Sequence, residues 1–292
     1  MTAENRQIGA DVNDFFYAFN MQKCAYKNIN AWRKTMDKRI IGFIGSGRVT
    51  AFMIEGLHRA HANLAITVMD ANPAVSENLA RGTMSVTDVG ANYEKVGKAE
   101  FLFIALPPPN VQAGCESIAP FLGKRTIVVS LAPKASISAL SDWLGTNKIA
   151  RYLPNAATSI GEGYNPVSWG SSVNDAERTR VRELLSVLGD MPEVEETNIE
   201  TYAVLSAMGP TYLWPLLDEM ITSGVRYGLT ADESARLVSR MAVASAKMVE
   251  SSGKDYAIRM DMIPSKPMAD IEQEMRGLFR AKLDAIHTKL ST

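Results

Sequence analysis

The stretch Arg39–Ala60, RIIGFIGSGRVTAFMIEGLHRA, decides the fold. Its first part, RIIGFIG, is a short apolar run of the length of one buried strand. Its second part, GRVTAFMIEGLHRAH, reads as the helix that follows. Between them lies a GxxGxG string, Gly42, Gly45 and Gly47. Taken alone the string is weak, because glycine turns are common. Its setting is more informative: the glycines follow a strand and open a helix, and a second strand, LAITVMD, ends in an acid, Asp70, 25 residues beyond Gly45. In that setting Gly45 permits a tight turn, and Gly47 lets the backbone approach a pyrophosphate that meets free N–H groups at the helix start. The expected cofactor contacts are Gly42, Gly45, Ser46, Gly47, Arg48 and Val49. A glycine turn with another role is the competing reading, and Arg48 reaches either a phosphate or solvent.

Working outward, the chain alternates apolar strands with helices. PAVSENLARG is helical, EFLFIALP is a strand stopped by Pro107, Pro108 and Pro109, and NVQAGCESIAPFL returns to helix. RTIVVSLAP is a strand, SISALSDWL a helix, and KIARYLPNAA a further strand near Tyr152. Continuous apolar strands separated by helices argue an α/β unit with a parallel sheet covered on both faces. From about Asn174 the pattern is helical throughout. Thr230 with Glu233 forms a capping box signature, and Phe279, Leu283, Ile286 and Leu290 make one apolar helix face. The expected domains are a helical extension over 1–38, a dinucleotide-binding domain over 39–170 and a helical domain over 171–292.

Ligands of open parallel sheets sit outside the carboxyl ends of the strands. Ala105, Leu106 and Pro107 end one strand, and Ala132 follows the next, so these join the expected cofactor site. Lys134 faces either the cleft or water. Asp70 can accept bonds from ribose hydroxyls and repels a 2′-phosphate, which favours NAD over NADP, although Asn72 could also bond to the ribose or its phosphate. Asn155, in YLPNAATSIGEG, could hold the nicotinamide or the substrate through its amide, or form a structural turn. Gly209 and Pro210 precede a helix whose opening turns carry Thr211 and Tyr212. Free N–H groups there could receive a substrate carboxylate, and Tyr212 offers a hydroxyl or simply packs.

Composition bounds the alternatives. The 292 residues have a formal net charge of −1 and 46% hydrophobic residues, so no global basic field recruits nucleic acid or an anionic membrane. No run of about 18 apolar residues suggests a membrane span. The first residues lack the pattern of a secretory signal, and a cytoplasmic protein is expected. Cys24 and Cys115 form no CxxC pair, and His58, His61 and His287 form no set, so packing roles are expected over metal binding. HExxH, GxSxG and GxxxxGK[ST] are absent from the sequence.

In order along the chain, IGFIGSGRVTAFMIEGL, FLFIALPPPNV, RYLPNAATSIGEG and AVLSAMGPTYLW resemble the ordered motifs of the pyrroline-5-carboxylate reductase family. The resemblance runs from about residue 39 to about residue 270. It implies a Rossmann domain followed by an all-helical dimerisation domain, interlocked in a homodimer and in some members assembled into a larger ring. It also implies hydride transfer from a reduced nicotinamide to the C=N carbon of a cyclic imino acid, giving proline, in a site between the cofactor domain and the dimer helices. The chain departs from the pattern in places. Pro107 replaces the family's lysine, Arg48 its asparagine and Thr50 a small residue. The late loop reads DMIPSKPMADIEQE, where Ser265 and Lys266 stand in for the family's twin threonines as candidate carboxylate contacts. Thr211, Tyr212 and Asn155 are the candidate catalytic residues, and Gly209, Pro210, Ser265 and Lys266 the candidate substrate contacts. Two other functions stay open: an oxidoreductase for another small carboxylated substrate, and a nucleotide-sensing or assembly protein without turnover.

Overall fold

A computed structural model describes residues 40–61, 64–82, 86–251 and 255–291. The expected extension over 1–38, with Cys24, lies outside the described residues. The chain opens with β1 (Ile40–Ile44), α1 (Arg48–Ala60), β2 (Ala65–Met69), α2 (Pro73–Gly82), β3 (Val86–Asp88) and α3 (Tyr93–Gly97). It continues through β4 (Phe101–Ile104), α4 (Val111–Ile118), β5 (Ile127–Ser130), α5 (Ile137–Leu144) and β6 (Ile149–Tyr152). Then follow β7 (Gly163–Tyr164), β8 (Val167–Trp169), α6 (Asp175–Leu185) and β9 (Gly189–Asp190). The rest is helical: α7 (Ile199–Tyr202), a π-helical turn over Ala203–Ala207, α8 (Pro210–Arg226), α9 (Ala231–Ser251), α10 (Tyr256–Asp261) and α11 (Glu272–Ser291).

The main sheet runs β3-β2-β1-β4-β5-β6-β8. All its pairings are parallel except the last, where β8 returns antiparallel to β6. β1 sits at the switch point, with β2 on one side and β4 on the other, so the turn after it opens into the crevice at the sheet's carboxyl edge. β4, β5 and β6 are buried on both faces, which explains the continuous apolar runs of β4 and of β5 up to Ser130; β6 carries Arg151 among its apolar residues. One face packs Phe43, Phe103 and Tyr152 against Met53, Leu57, Val181 and Leu184; the Phe43 and Phe103 rings stack with centroids 4.6 Å apart. The other packs Ile44, Ile104, Val128 and Ile149 against Val111, Leu140 and Leu144.

One expectation moves, and two short strands carry no sequence signal. β3 and β8 have three residues each, too short for a sequence period to register. More importantly, α6 belongs to the sheet's core through Val181, Leu184 and Leu185, and β9 pairs with β7. The change to purely helical packing therefore falls after Asp190, later than the 170/171 division read from the helical pattern. An amphipathic helix that covers a sheet has the same period as one that covers another helix, so the pattern could not separate the two cases.

In the helical half, α8 and α9 pack together through a turn with Gly228 at φ +101°. The capping box forms: Thr230 Oγ1 accepts from the Glu233 N–H at 3.2 Å, and the Glu233 carboxylate accepts from the Thr230 N–H at 3.0 Å. The apolar stripes remain open in the single chain; Leu213, Leu216 and Met220 of α8 and Leu237 and Met241 of α9 are exposed. Burial of α8 and α9 is confined mainly to Ser234 and Val238.

Gly42 occupies the middle of β1, fully inside the sheet. A Cβ there would stand 2.8 Å from Val96 Cγ2 and 2.9 Å from the Val96 carbonyl oxygen. It allows the close packing of α3 against β1. Gly42→Ala is expected to lower stability by about 1–3 kcal/mol through overpacking. Urea unfolding checks this: the midpoint falls while the slope stays that of the parent chain.

Candidate active site

The turn after β1 is fixed by contacts that only glycine allows. Gly45 has φ +93°, and a Cβ on it would collide with the Ala105 carbonyl. Its N–H donates to the Met69 carbonyl at 2.9 Å, and Thr50 Oγ1 donates back to the Gly45 carbonyl at 2.6 Å. The Thr50 hydroxyl is thus part of the turn. No side chain caps α1, and the space above Gly47 is open, with nothing within 4 Å of a Cβ placed there. Arg48 and Val49 are exposed at this helix start.

Asp70, just past β2, is tied to that turn. One carboxylate oxygen accepts from the Ser46 N–H at 2.8 Å and from Ser46 Oγ at 2.9 Å; the other accepts from the Asn72 N–H at 2.9 Å. The Ser46 N–H is therefore already engaged, while Asn72 Oδ1 accepts from the Ala74 N–H at 3.2 Å and caps the start of α2. Leu106 and Pro107 follow Ala105 at the end of β4, and Ala132 is buried past β5, where its N–H donates to Ser130 Oγ at 3.3 Å. Lys134, exposed two residues on, has φ +73° and is the one non-glycine residue with positive φ among the described residues.

The second half of the site surrounds Asn155. Its Oδ1 accepts from the Ala157 N–H at 3.0 Å, and its Nδ2 donates to Ser206 Oγ at 3.4 Å. Asn165, fully buried, braces the same loop: its Oδ1 accepts from Thr158 Oγ1 at 3.0 Å and the Asn155 N–H at 3.3 Å, and its Nδ2 donates to the Leu188 carbonyl at 3.3 Å. Ser206 in turn donates to the Tyr164 carbonyl at 2.5 Å. Asn155, Tyr164 and Ser206 line a groove of about 1220 Å³ together with Tyr202, Leu205, Gly209, Pro210, Tyr212 and Trp214, and Asn165 braces it from behind. Asn165 and Ser206 escaped the sequence reading. Each is a polar residue within an otherwise apolar stretch beside a motif, which is the one signal that could have found them.

The expected free N–H groups before α8 are not free. The π-helical turn runs straight into α8, so the Gly209, Thr211 and Tyr212 N–H groups donate to the Ser206, Met208 and Gly209 carbonyls at 3.2, 3.0 and 3.0 Å. Thr211 Oγ1 donates to the Met208 carbonyl at 2.7 Å and Tyr212 Oη to the Val204 carbonyl at 2.8 Å. Burial pushes the Tyr212 phenol up, which keeps it a protonated donor. Ser265 and Lys266 line a separate cavity of about 460 Å³ between α10 and α11 with Tyr256, Arg259 and Arg276. Phe279 alone is shared with the Asn155 groove. Cys115 is buried, and burial, with the Glu116 charge beside it, pushes its thiol up to about 12, so it supplies no thiolate near neutral pH.

Two family models match. The model for pyrroline-5-carboxylate reductase dimerisation covers residues 196–267, and that for NADP oxidoreductase, coenzyme F420-dependent, covers residues 40–134. The chain is similar to pyrroline-5-carboxylate reductases over most of its length. These include the pyrroline-5-carboxylate reductase of Glycine max, 26% identical over 83% of this chain and 90% of the relative. That of Pseudomonas aeruginosa is 28% identical over 73% of this chain and 78% of the relative. The solved 1-pyrroline-5-carboxylate reductase of Streptococcus pyogenes shares the fold with a TM-score of 0.73 at 18% identity, covering 87% of this chain and 98% of that one. The Plasmodium falciparum pyrroline carboxylate reductase, solved with NADP bound, gives 0.71 at 18%, covering 88% and 97%.

Because the Tyr212 hydroxyl is spent on Val204, Tyr212→Phe is expected to lower stability by about 0.5–1.5 kcal/mol, the worth of one hydrogen bond. Thermal or urea unfolding measures the loss. In steady-state assays kcat is expected to stay within about threefold, far short of the ~100-fold that removal of a general acid produces.

Proposed function

We propose that this protein reduces the C=N bond of a cyclic imino acid with a reduced nicotinamide, pyrroline-5-carboxylate to proline being the favoured reaction. The single observation that carries the reading is the glycine turn at the switch point. Gly45 makes a cradle that a Cβ would fill, and an uncapped 13-residue helix starts above open space at Gly47. This geometry fits a dinucleotide pyrophosphate, with Gly45, Gly47, Arg48 and Val49 around it. Ala105, Leu106, Pro107 and Ala132 would border its nicotinamide end. When bound, the reduced nicotinamide supplies a hydride to the imine carbon, and the imine nitrogen, already protonated, becomes the amine.

The chain's own task is then orientation and exclusion of water. Asn155, Ser206, Gly209 and Pro210 would form the polar and backbone wall of the substrate groove, and Tyr202, Leu205 and Trp214 its apolar wall. Lys266 and Ser265 remain candidates for the carboxylate, reached from a second copy of the chain, since their cavity is separate within one copy. The open stripes on α8 and α9 support a homodimer built from the helical half, which we place after about Glu195. We also favour NAD over NADP: Asp70 holds a carboxylate at the end of β2, where a 2′-phosphate would meet its charge.

Nucleotide fluorescence titration tests the cofactor assignment. NADH is expected to bind more tightly than NADPH, with Asp70→Asn narrowing the difference; tighter NADPH binding by the parent protein would overturn the preference. Loss of absorbance at 340 nm with pyrroline-5-carboxylate, piperideine-carboxylate and keto acids plus amines tests the substrate. Turnover of the first is expected, and silence across the panel despite cofactor binding would sink the enzyme reading. Light scattering at micromolar concentration is expected to give a dimer, and a monomer would remove the helical interface.

A further inference from the structure

Arg151 lies within β6 with 2% of its side chain exposed, between β5, which runs parallel to it, and β8, which runs antiparallel. Its Nη1 donates to Glu196 Oε1 at 3.0 Å and its Nη2 to Glu200 Oε1 at 2.7 Å. Both acids stand at the entry to the helical half, on the turn before α7 and within α7 itself. Glu196 Oε1 also accepts from the Ile137 N–H, the first residue of α5, at 2.6 Å. One buried guanidinium therefore joins three pieces that meet at the crevice: the strand leading to Asn155, the helix that follows the Ala132–Lys134 loop, and the segment leading to Ser206 and Gly209.

Alternate residues of β6 and its continuation point to one side of the sheet. Ile149 packs on the α5 side, Arg151 takes Glu196 and Glu200, Leu153 packs on Ile199 and Ala203, and Asn155 reaches Ser206. The four steps form one seam: those at Ile149 and Leu153 are apolar, that at Asn155 is a long hydrogen bond of 3.4 Å, and only that at Arg151 is a charged contact with two carboxylates. Apolar contacts at Leu153 would tolerate a sliding or rotated helix; a guanidinium bonded to two carboxylates would not. Buried ion pairs are weak sources of net stability, and their better-attested use is to fix one register among several.

We propose that Arg151, with Glu196 and Glu200, is a positioning group for the reaction: it sets the register of the helical segment against the cofactor domain and so the placing of the Ser206–Gly209 wall opposite Asn155. This rests on the imine-reductase reading above. Arg151 touches neither substrate nor cofactor, and acts through the segment it holds.

The test compares the full-length wild-type protein with Arg151→Met/Glu200→Leu, which replaces the pair by apolar side chains of similar length, and with Glu200→Gln, which keeps an acceptor while Glu196 still neutralises the guanidinium. The double variant is expected to melt within about 5 °C of the parent and to bind the nicotinamide nucleotide within twofold of the parent's Kd, roughly the scatter expected of an untouched site. Its kcat is expected to fall at least about tenfold, because a displaced wall spoils the reacting geometry. The primary deuterium isotope effect on kcat, read with 4-deuterated cofactor, is expected to rise. Glu200→Gln is expected to keep kcat within about threefold. A double variant with kcat near the parent's would overturn the proposal. So would a loss of kcat matched by an equal loss of titratable cofactor sites at an unchanged isotope effect, since that marks unfolding alone. If the double variant does not fold, Glu200→Ala carries the same readings. Absence of imine turnover by the wild type would instead count against the proposed function, and the two failures are thereby distinguished.

Discussion

The approach of the Gly45 backbone to the Ala105 carbonyl is the constraint on which the cofactor end of the molecule depends. It brings the ends of β1 and β4 together at the switch point, and the positive φ it needs turns the chain directly into α1. Thr50 closes the turn from the helix side, and Asp70 closes it from the β2 side through Ser46. Because both flanks are hydrogen-bonded, the open space at Gly47 is held by the fold and does not need to be made by a ligand. A preformed concavity of this kind lowers the ordering cost of binding an anion.

A second constraint acts at the other end of the crevice. Asn155 is not a free amide waiting for a ligand; it caps a 3₁₀ turn and reaches the π-helical turn that precedes α8. π-helical turns insert one extra residue into a helix and recur at functional sites. Here the turn carries the Leu205 and Ser206 side chains to the groove while the Ser206 carbonyl stays paired with the Gly209 N–H. The polar groups that one would assign to a substrate from the sequence are largely committed to holding this wall in shape. Recognition then falls to the shape of the wall and to whatever a second copy adds.

The order of strands and helices was legible from the sequence because buried parallel strands write continuous apolar runs, as at Phe101–Ile104 and Ile127–Ser130. The glycine turn was legible because its spacing and its neighbours agree. Gly42 is expected among the cofactor contacts and in the structure packs against Val96; a glycine needed for packing looks the same in one dimension as one needed for a phosphate. α6 was assigned to the wrong layer for a similar reason: its apolar stripe says that something is covered, not what. The hydroxyl of Tyr212 and the N–H groups of Thr211 and Tyr212 looked available only because the partners that take them, Val204, Met208 and Gly209, depend on an irregular turn that carries no periodic signal. Arg151 is the clearest case of information absent from the string. Its partners lie 45 and 49 residues away, and nothing local distinguishes a buried arginine from a solvated one.

The two outer strands of the sheet also bear on how copies of this chain meet. β3 has only three residues, and β8 is covered beyond its outer edge, where the Val167 N–H donates to the Pro192 carbonyl and the Val194 N–H to the Val167 carbonyl, each at 2.9 Å. A long bare edge would invite a foreign strand to add itself to the ladder. With both rims blunted, the sheet offers little for another chain to extend, and among the described residues the exposed large apolar side chains lie mostly in the helical half, from Leu205 to Phe279. Growth by strand addition, the route by which α/β proteins run into open-ended aggregates, is thereby disfavoured without any contribution from the helices that remain uncovered.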